Sequence, residues 1–154
     1  MKFKITLKID RKYGDLLPFN YQYEQSAVIY RILAQADTQY SSWLHENGYL
    51  LHERKRFKLF CYSPFIFEKV RPLPEAGCLK IIGERAVWYI SFIPEKSTLE
   101  FIQGIFAHQS FSIGNKKYQV AFDVVGVEAI PMPQLSEEMT FVALSPICVK
   151  LHED

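Results

Sequence analysis

No cluster of cysteine and histidine at metal-ligand spacing occurs in this sequence, and its three cysteines, Cys61, Cys78 and Cys148, are odd in number and far apart. That pattern argues for a reducing compartment and against a structural metal. No apolar run reaches the ~20 residues needed to span a bilayer, and the N-terminus alternates lysine with apolar residues where a signal peptide would be continuously apolar. The expected location is the cytoplasm, with no membrane partner. There is no G-x-x-x-x-G-K phosphate cradle, no nucleophile elbow, no H-E-x-x-H pair and no tight carboxylate cluster for Mg²⁺, which disfavours metal-dependent hydrolysis. An excess of one charge is missing too. With 18 Lys+Arg against 17 Asp+Glu the net charge is +1, so any affinity for nucleic acid must come from local clustering of cations and not from a global field. No internal repeat or low-complexity segment stands out.

What the chain has in quantity is apolar and aromatic side chains. Hydrophobic residues make up 49% of it, with 12 Phe and 9 Tyr spread along the length, so it is globular and not disordered. At 154 residues it holds one full domain of the usual about 100–200 residues, with room for a tail. From Lys2 to Ile9 the alternation puts Phe3, Ile5, Leu7 and Ile9 on one face and Lys2, Lys4, Thr6 and Lys8 on the other. This is a half-buried strand whose lysines form either a phosphate-tracking face or an ordinary solvated one. Val28, Ile29, Ile32, Leu33 and Ala36 recur at helical spacing and predict a helix over about Glu24 to Ala36, with Tyr30 on the edge of the stripe.

Asp37 is the expected N-cap of a second helix that packs Tyr40, Trp43 and Leu44 inward, with Gly48 at its left-handed C-terminal position. His45 falls in the last turn, where the helix dipole favours an imidazolium able to hold a proton and hand it over. The alternative is a histidine that only satisfies terminal carbonyls. Arg54, Lys55, Arg56 and Lys58 then form the densest cationic patch, running into a strand that continues through Leu59, Phe60, Cys61 and Tyr62. Such a run beside aromatic side chains fits an RNA backbone, and a solvated basic loop has the same composition. Strand-like segments between Phe65 and Ile93, separated by Pro72, Pro74, Gly77 and Gly83, are expected to feed one antiparallel sheet as hairpins. Ser97 and Glu100 have the form of a capping box for a helix that buries Leu99, Phe101, Ile102, Ile105 and Phe106 and ends near His108. A Gly114-Asn115 turn joins S-F-S-I to the long run Tyr118 to Ile130. The segment from Pro131 to Met139 reads as a linker, and Thr140 to Lys150 is again strand-like. Strand, helices, strands, helix, strands is the order of an α+β, ferredoxin-like β-α-β-β-α-β domain, with helices on one face of an antiparallel sheet and added hairpins.

The stretch from Tyr21 to Pro64 resembles the CRISPR-associated endoribonucleases that cut the repeat precursor transcript, members of the RAMP superfamily, and the likeness runs from Met1 to about Val149. It is carried by S-A-V-I-Y-R-I-L around Tyr30, S-S-W-L-H-E around His45, K-L-F-C-Y-S beginning at Lys58, and the L-S-P-I of Leu144 to Ile147, which resembles the boundary between the family's two halves. The resemblance implies metal-independent cleavage within CRISPR repeats, in which the RNA's own 2′-hydroxyl attacks the adjacent phosphate and leaves a 2′,3′-cyclic phosphate. By the same carry-over His45 transfers the proton, Tyr30 is a positioning or acid-base partner, and Lys58 faces the charge that builds on phosphorus. Arg54, Lys55 and Arg56 are the RNA-binding candidates, and His52 is the substitute for His45.

No cofactor is implied. The implied partners are the repeat RNA and other CRISPR-associated proteins. Family members carry two ferredoxin-like domains with a glycine-rich loop in the second, and this sequence has no such loop. Residues 1–133 are therefore read as a ferredoxin-like, RRM-like domain and 134–154 as a linker and the first strand of an absent second domain. That strand is expected to pair with an edge of its own domain, with the same segment of a second chain as a homodimer, or with a lattice neighbour. Two readings compete with catalysis: a non-catalytic RAMP-type subunit that holds guide RNA, and a ferredoxin-like interaction domain with no nucleic-acid role.

Overall fold

The computed structural model describes residues 1–51, 55–131, 134, 136–140 and 142–143. In chain order its elements are β1 (Lys2–Asp10), β2 (Leu16–Pro18), α1 (Gln22–Ala36), α2 (Thr38–Glu46), β3 (Tyr49–Leu51), β4 (Lys55–Phe57) and β5 (Phe60–Tyr62). They continue with β6 (Ile66–Phe67), β7 (Val70–Leu73), β8 (Cys78–Ile81), β9 (Arg85–Phe92), α3 (Glu95–Ala107), β10 (Ser110–Gly114) and β11 (Gln119–Ile130). His52, Arg54 and nearly all of the strand expected over Thr140 to Lys150 lie outside the described residues.

The alternation in β1 sets the architecture. Phe3, Ile5, Leu7 and Ile9 are buried on one face, and the strand sits in the middle of an antiparallel sheet, between β9 and β11. Beyond these, β10 pairs with β11, while β5 and β6 pair with β9. Helices α1 and α3 pack together over the buried face, where Phe101 meets Phe3 and Phe92 at ring-centroid distances of 6.4 and 5.0 Å. The opposite face carries Lys2, Lys4 and Thr6, with Lys2 opposite Ser91 and Lys4 opposite Tyr89. The result is a mixed α and β fold built on an antiparallel sheet with few helices. Among the described residues no helix is long and apolar enough to cross a membrane.

Four local expectations are corrected. The strands between Phe65 and Ile93 do not all join one sheet: β2, β8 and β7 form a separate three-stranded sheet with β8 in the centre. Pro18 and Pro72 lie in its two outer strands, where a residue lacking N–H is tolerated. Trp43 does not pack inward, being 39% exposed; it stacks beside Tyr40 and meets Tyr49 edge-on. Ser97 is no N-cap, because α3 begins at Glu95, after Pro94, and Ser97 turns inward to hydrogen-bond the hydroxyl of Tyr40. Leu99 and Phe106 are exposed as a result, and α3 buries Phe101, Gly104 and Ile105. Gly104 decides that face: a Cβ there would lie 1.9 Å from the carbonyl oxygen of Ile32, so α1 approaches only where α3 has no side chain.

The fourth correction concerns Lys58, which stands between β4 and β5 and not inside a strand. Leu59 has φ 56°, a left-handed conformation that ends the run of β4. The chain thereby leaves the small β3–β4 hairpin and joins β9 of the main sheet through β5.

Candidate active site

Tyr30 lies half-buried on α1, and its backbone carbonyl accepts a hydrogen bond from Ser41 Oγ at 2.7 Å, which ties α1 to the first turns of α2. Asp37 closes one helix and opens the other. Its carboxylate accepts the amide N–H of Tyr40 at 2.8 Å, the N-cap expected from the sequence. That hydrogen bond, seconded by Lys96 at 3.2 Å, holds the carboxyl below the ordinary carboxylate range. Both contacts fix where α2 points, and α2 carries His45 in its last turn.

His45 is exposed and meets Tyr30 edge-on, with ring centroids 4.9 Å apart and planes at 81°. The ammonium of Lys58 donates to the carbonyl of Leu44 at 2.5 Å and to the carbonyl of His45 itself. A helix C-terminus leaves such carbonyls without partners, and a cation there also suits the helix dipole. Lys58 thus does the work that a structural histidine would have done. Among the described residues the imidazole makes no hydrogen bond of its own.

The β3–β4 hairpin brings the lysine there. It folds back against the helix end through Gly48, at φ +69°, where a Cβ would stand 2.7 Å from the Phe57 carbonyl oxygen. Arg56 is anchored at the same place, donating from Nη1 to Asn47 Oδ1 at 3.1 Å. Burial, and then the charge of Arg56, push the Lys58 pKa down, while its two carbonyl partners favour the charged form. Burial, and then Tyr62, raise that of Tyr30, which keeps the phenol protonated at neutral pH. An aromatic wall of Phe60 and Tyr62 stands behind it, with Phe60 edge-on to Tyr30 at 5.7 Å.

Tyr30, His45 and Lys58 are therefore brought together at one surface, with Arg56 alongside. Arg54 lies outside the described residues, and of Lys55 only the backbone, in β4, is described. Sequence reasoning missed Ser41, Asn47 and Tyr62. Asn47 and Ser41 had a signal in their places at the end and start of α2; Tyr62 lay inside the K-L-F-C-Y-S motif, which gave it no part of its own.

An antiparallel sheet thus carries helices on one face, and Tyr30, His45 and Lys58 meet at the end of the second helix. Solved structures share that fold. A RAMP protein binding different RNA substrates aligns with TM-score 0.68 at 22% identity, covering 89% of this chain and 51% of the other. The product of a Cas6-related gene from Pyrococcus furiosus aligns with TM-score 0.69 at 23% identity, covering 88% and 50%. Residues 16–123 match the family model described as CRISPR-associated protein Cas6, N-terminal, and the chain belongs to that family. Its relatives include the CRISPR-associated endoribonuclease Cas6 of Pyrococcus furiosus, 26% identical over 151 residues that cover 97% of this chain and 52% of the relative. The CRISPR-associated endoribonuclease Cas6 1 of Methanocaldococcus jannaschii is 25% identical, with 96% and 52% covered. The chain spans about half the length of the curated relatives it matches.

Proposed function

We propose that this chain works in an endoribonuclease that cuts CRISPR precursor RNA within its repeats, without a metal ion. The 2′-oxygen of one nucleotide attacks the adjacent phosphorus, the bond from phosphorus to the 5′-oxygen breaks, and a 2′,3′-cyclic phosphate remains. The protein has only to move protons and to face the charge that accumulates on the phosphate oxygens. His45 transfers the proton, Tyr30 orients it or donates from its protonated phenol, and Lys58 with Arg56 supplies positive charge. Arg54, Lys55 and Arg56 hold the RNA backbone. The observation that carries this reading is the exposed imidazole of His45, uncommitted to a structural hydrogen bond among the described residues and set edge-on to Tyr30.

The domain reading goes with it. The order β11, β1, β9, β5, with α1 and α3 packed together, supports a ferredoxin-like β-α-β-β-α-β unit over residues 1–133, and residues 134–154 are proposed as a linker and the first strand of a second domain. The cytoplasm is the proposed location, and repeat RNA and other CRISPR-associated proteins the proposed partners. A second reading, a RAMP-type subunit that holds RNA without cutting it, is favoured by one observation: both Lys58 contacts go to helix carbonyls, so its ammonium is already engaged before any phosphate arrives. Incubating repeat RNA with the protein in a chelator separates the two. A product ending in a 2′,3′-cyclic phosphate is expected, and RNA that is bound but stays intact would select the second reading.

A further inference from the structure

A hollow of about 410 Å³ lies apart from the candidate active site, lined by Asp37, Tyr40 and Trp43 of α2 and its cap, Tyr49 of β3 and Lys96 of α3. Asp37, Tyr40 and Trp43 recur every third residue and so share one side of the helix, while His45, two residues past Trp43, does not face with them. Three aromatic rings form the wall. Tyr40 and Trp43 stack with centroids 5.9 Å apart, and Tyr49 stands edge-on to Trp43 at 5.1 Å. Hydrogen bonds fix them from behind: the Tyr40 hydroxyl meets that of Tyr49 at 2.9 Å and also that of Ser97. Trp43 is left exposed in this fixed setting.

The chain itself shows what this cage attracts. Lys96 Nζ lies over the Tyr40 ring, 4.7 Å from its centroid, and 3.2 Å from Asp37 Oδ2. The faces of aromatic rings carry negative potential, so an ammonium is drawn to ring and carboxylate at once. Burial raises the Tyr40 pKa and the charge of Glu100 adds to the rise, so a second carboxylate bears on the same ring. Two carboxylates against one lysine leave the cage with an excess of negative charge. Lys96 is a loose occupant, its side chain 54% exposed, and exposed pairs of this kind hold weakly. Among the described residues no cation lies over the indole of Trp43. We propose that the cage is a docking site for an arginine side chain presented by a partner protein, which takes the place of Lys96. A guanidinium is planar and lies flat on the indole while it donates to Asp37 Oδ2, whereas a compact ammonium has no face to stack. The site is separate from the chemistry proposed for His45, and neither reading needs the other. Tyr40 and Trp43 sit on the helix that carries His45, and Tyr49 on the hairpin that brings Lys58, so a partner docked here holds those two elements together.

The probe is acetyl-Gly-Arg-Gly-amide, titrated against the full chain at low salt and followed by saturation transfer to its side-chain protons, beside the same peptide with lysine or glutamine in place of arginine. Saturable binding of the arginine peptide is expected, in the millimolar range of a single anchoring side chain. The lysine peptide is expected to bind about 5-fold or more weakly and the glutamine peptide not to bind. Trp43→Ala is expected to weaken binding of the arginine peptide by about 5-fold or more. Lys96→Ala, at an exposed position, is expected to tighten it by about 3-fold or more, because the competing ammonium is gone. Damage to the fold does not produce tightening, so this variant tests the proposal even if Trp43→Ala fails to fold. Arginine and glutamine peptides that bind alike overturn it, and so does a Lys96→Ala chain that binds no more tightly than the parent. Tryptophan emission supplies a further check, since of the two tryptophans Trp88 is fully buried and Trp43 exposed. Quenching by oligouridylate but not by the arginine peptide would assign the cage to a nucleobase and overturn the proposal as well.

Discussion

His45 and Lys58 share one helix end but have separable tasks. On the proposed proton transfer by His45, His45→Ala is expected to lower repeat cleavage by about 10²–10⁴-fold with RNA affinity nearly unchanged. Single-turnover cleavage beside equilibrium binding checks this, and equal rates would take His45 out of the mechanism. Lys58→Met should do more, lowering the rate and also the unfolding midpoint, because the carbonyls of Leu44 and His45 lose their donor. Arg56→Ala is expected to weaken RNA binding and to flatten its salt dependence while leaving the cleavage step less affected. Titration separates these groups further. Burial raises the pKa values of Tyr21, Tyr30 and Tyr40 above the ordinary 10.0. Above that value the unfolded chain gives up phenolic protons that the folded chain keeps. The stability due to these tyrosines is therefore fully present below about pH 10 and is lost as pH rises through their raised values. Phenolate absorbance followed against pH should show these rings ionising together with loss of structure, and ionisation well before unfolding would contradict it.

At the scale of elements, the contact between α1 and α3 carries more of the fold than either helix shows alone. Gly104→Ala would drive a methyl group against the backbone of Ile32, which cannot turn away as a side chain could. A loss of about 3 kcal/mol is expected in denaturant unfolding, and a variant as stable as the parent would mean that the helices can separate cheaply. The cap of α2 is a milder case. Asp37→Ala should loosen the helix that presents His45, lowering cleavage more than it lowers stability. In the parent chain the same contribution fades as pH falls through the lowered pKa of Asp37, below the ordinary 3.8. Of these devices the cap was legible in the sequence, since Asp before a helical run has a local meaning. The need for glycine at 104 was not, because it depends on a second helix distant in sequence.

At the scale of the whole molecule, among the described residues the buried core runs from Phe3 to Phe122 and the main sheet ends with β11 at Ile130. Removing everything beyond Gln134 is therefore expected to leave the unfolding midpoint unchanged within error. The same deletion tests the proposed pairing of Thr140 to Lys150. If that segment pairs with its counterpart in a second chain, the full chain sediments as a concentration-dependent dimer and the shortened one as a monomer. A full chain that stays monomeric at all concentrations would remove pairing between copies.

The sequence by itself determined what is local: the buried face of β1 from its alternation, α1 from its apolar spacing, α2 from Asp37 and Gly48, and the β10–β11 hairpin from its Gly-Asn turn. It also brought Tyr30, His45 and Lys58 to notice, through the motifs around them. The tertiary structure alone decided how these meet. The ammonium of Lys58 caps the helix of His45 because the left-handed turn at Leu59 and the fold-back at Gly48 set the hairpin against that helix end. Ser97 faces Tyr40, and Leu99 faces solvent, because α3 turns the face of Ser97, Phe101, Gly104 and Ile105 to the core, where Gly104 lets α1 approach closely. Periodicity records which face of one element is apolar. It holds no record of which partner covers that face, since that depends on backbone approach between segments far apart in the chain.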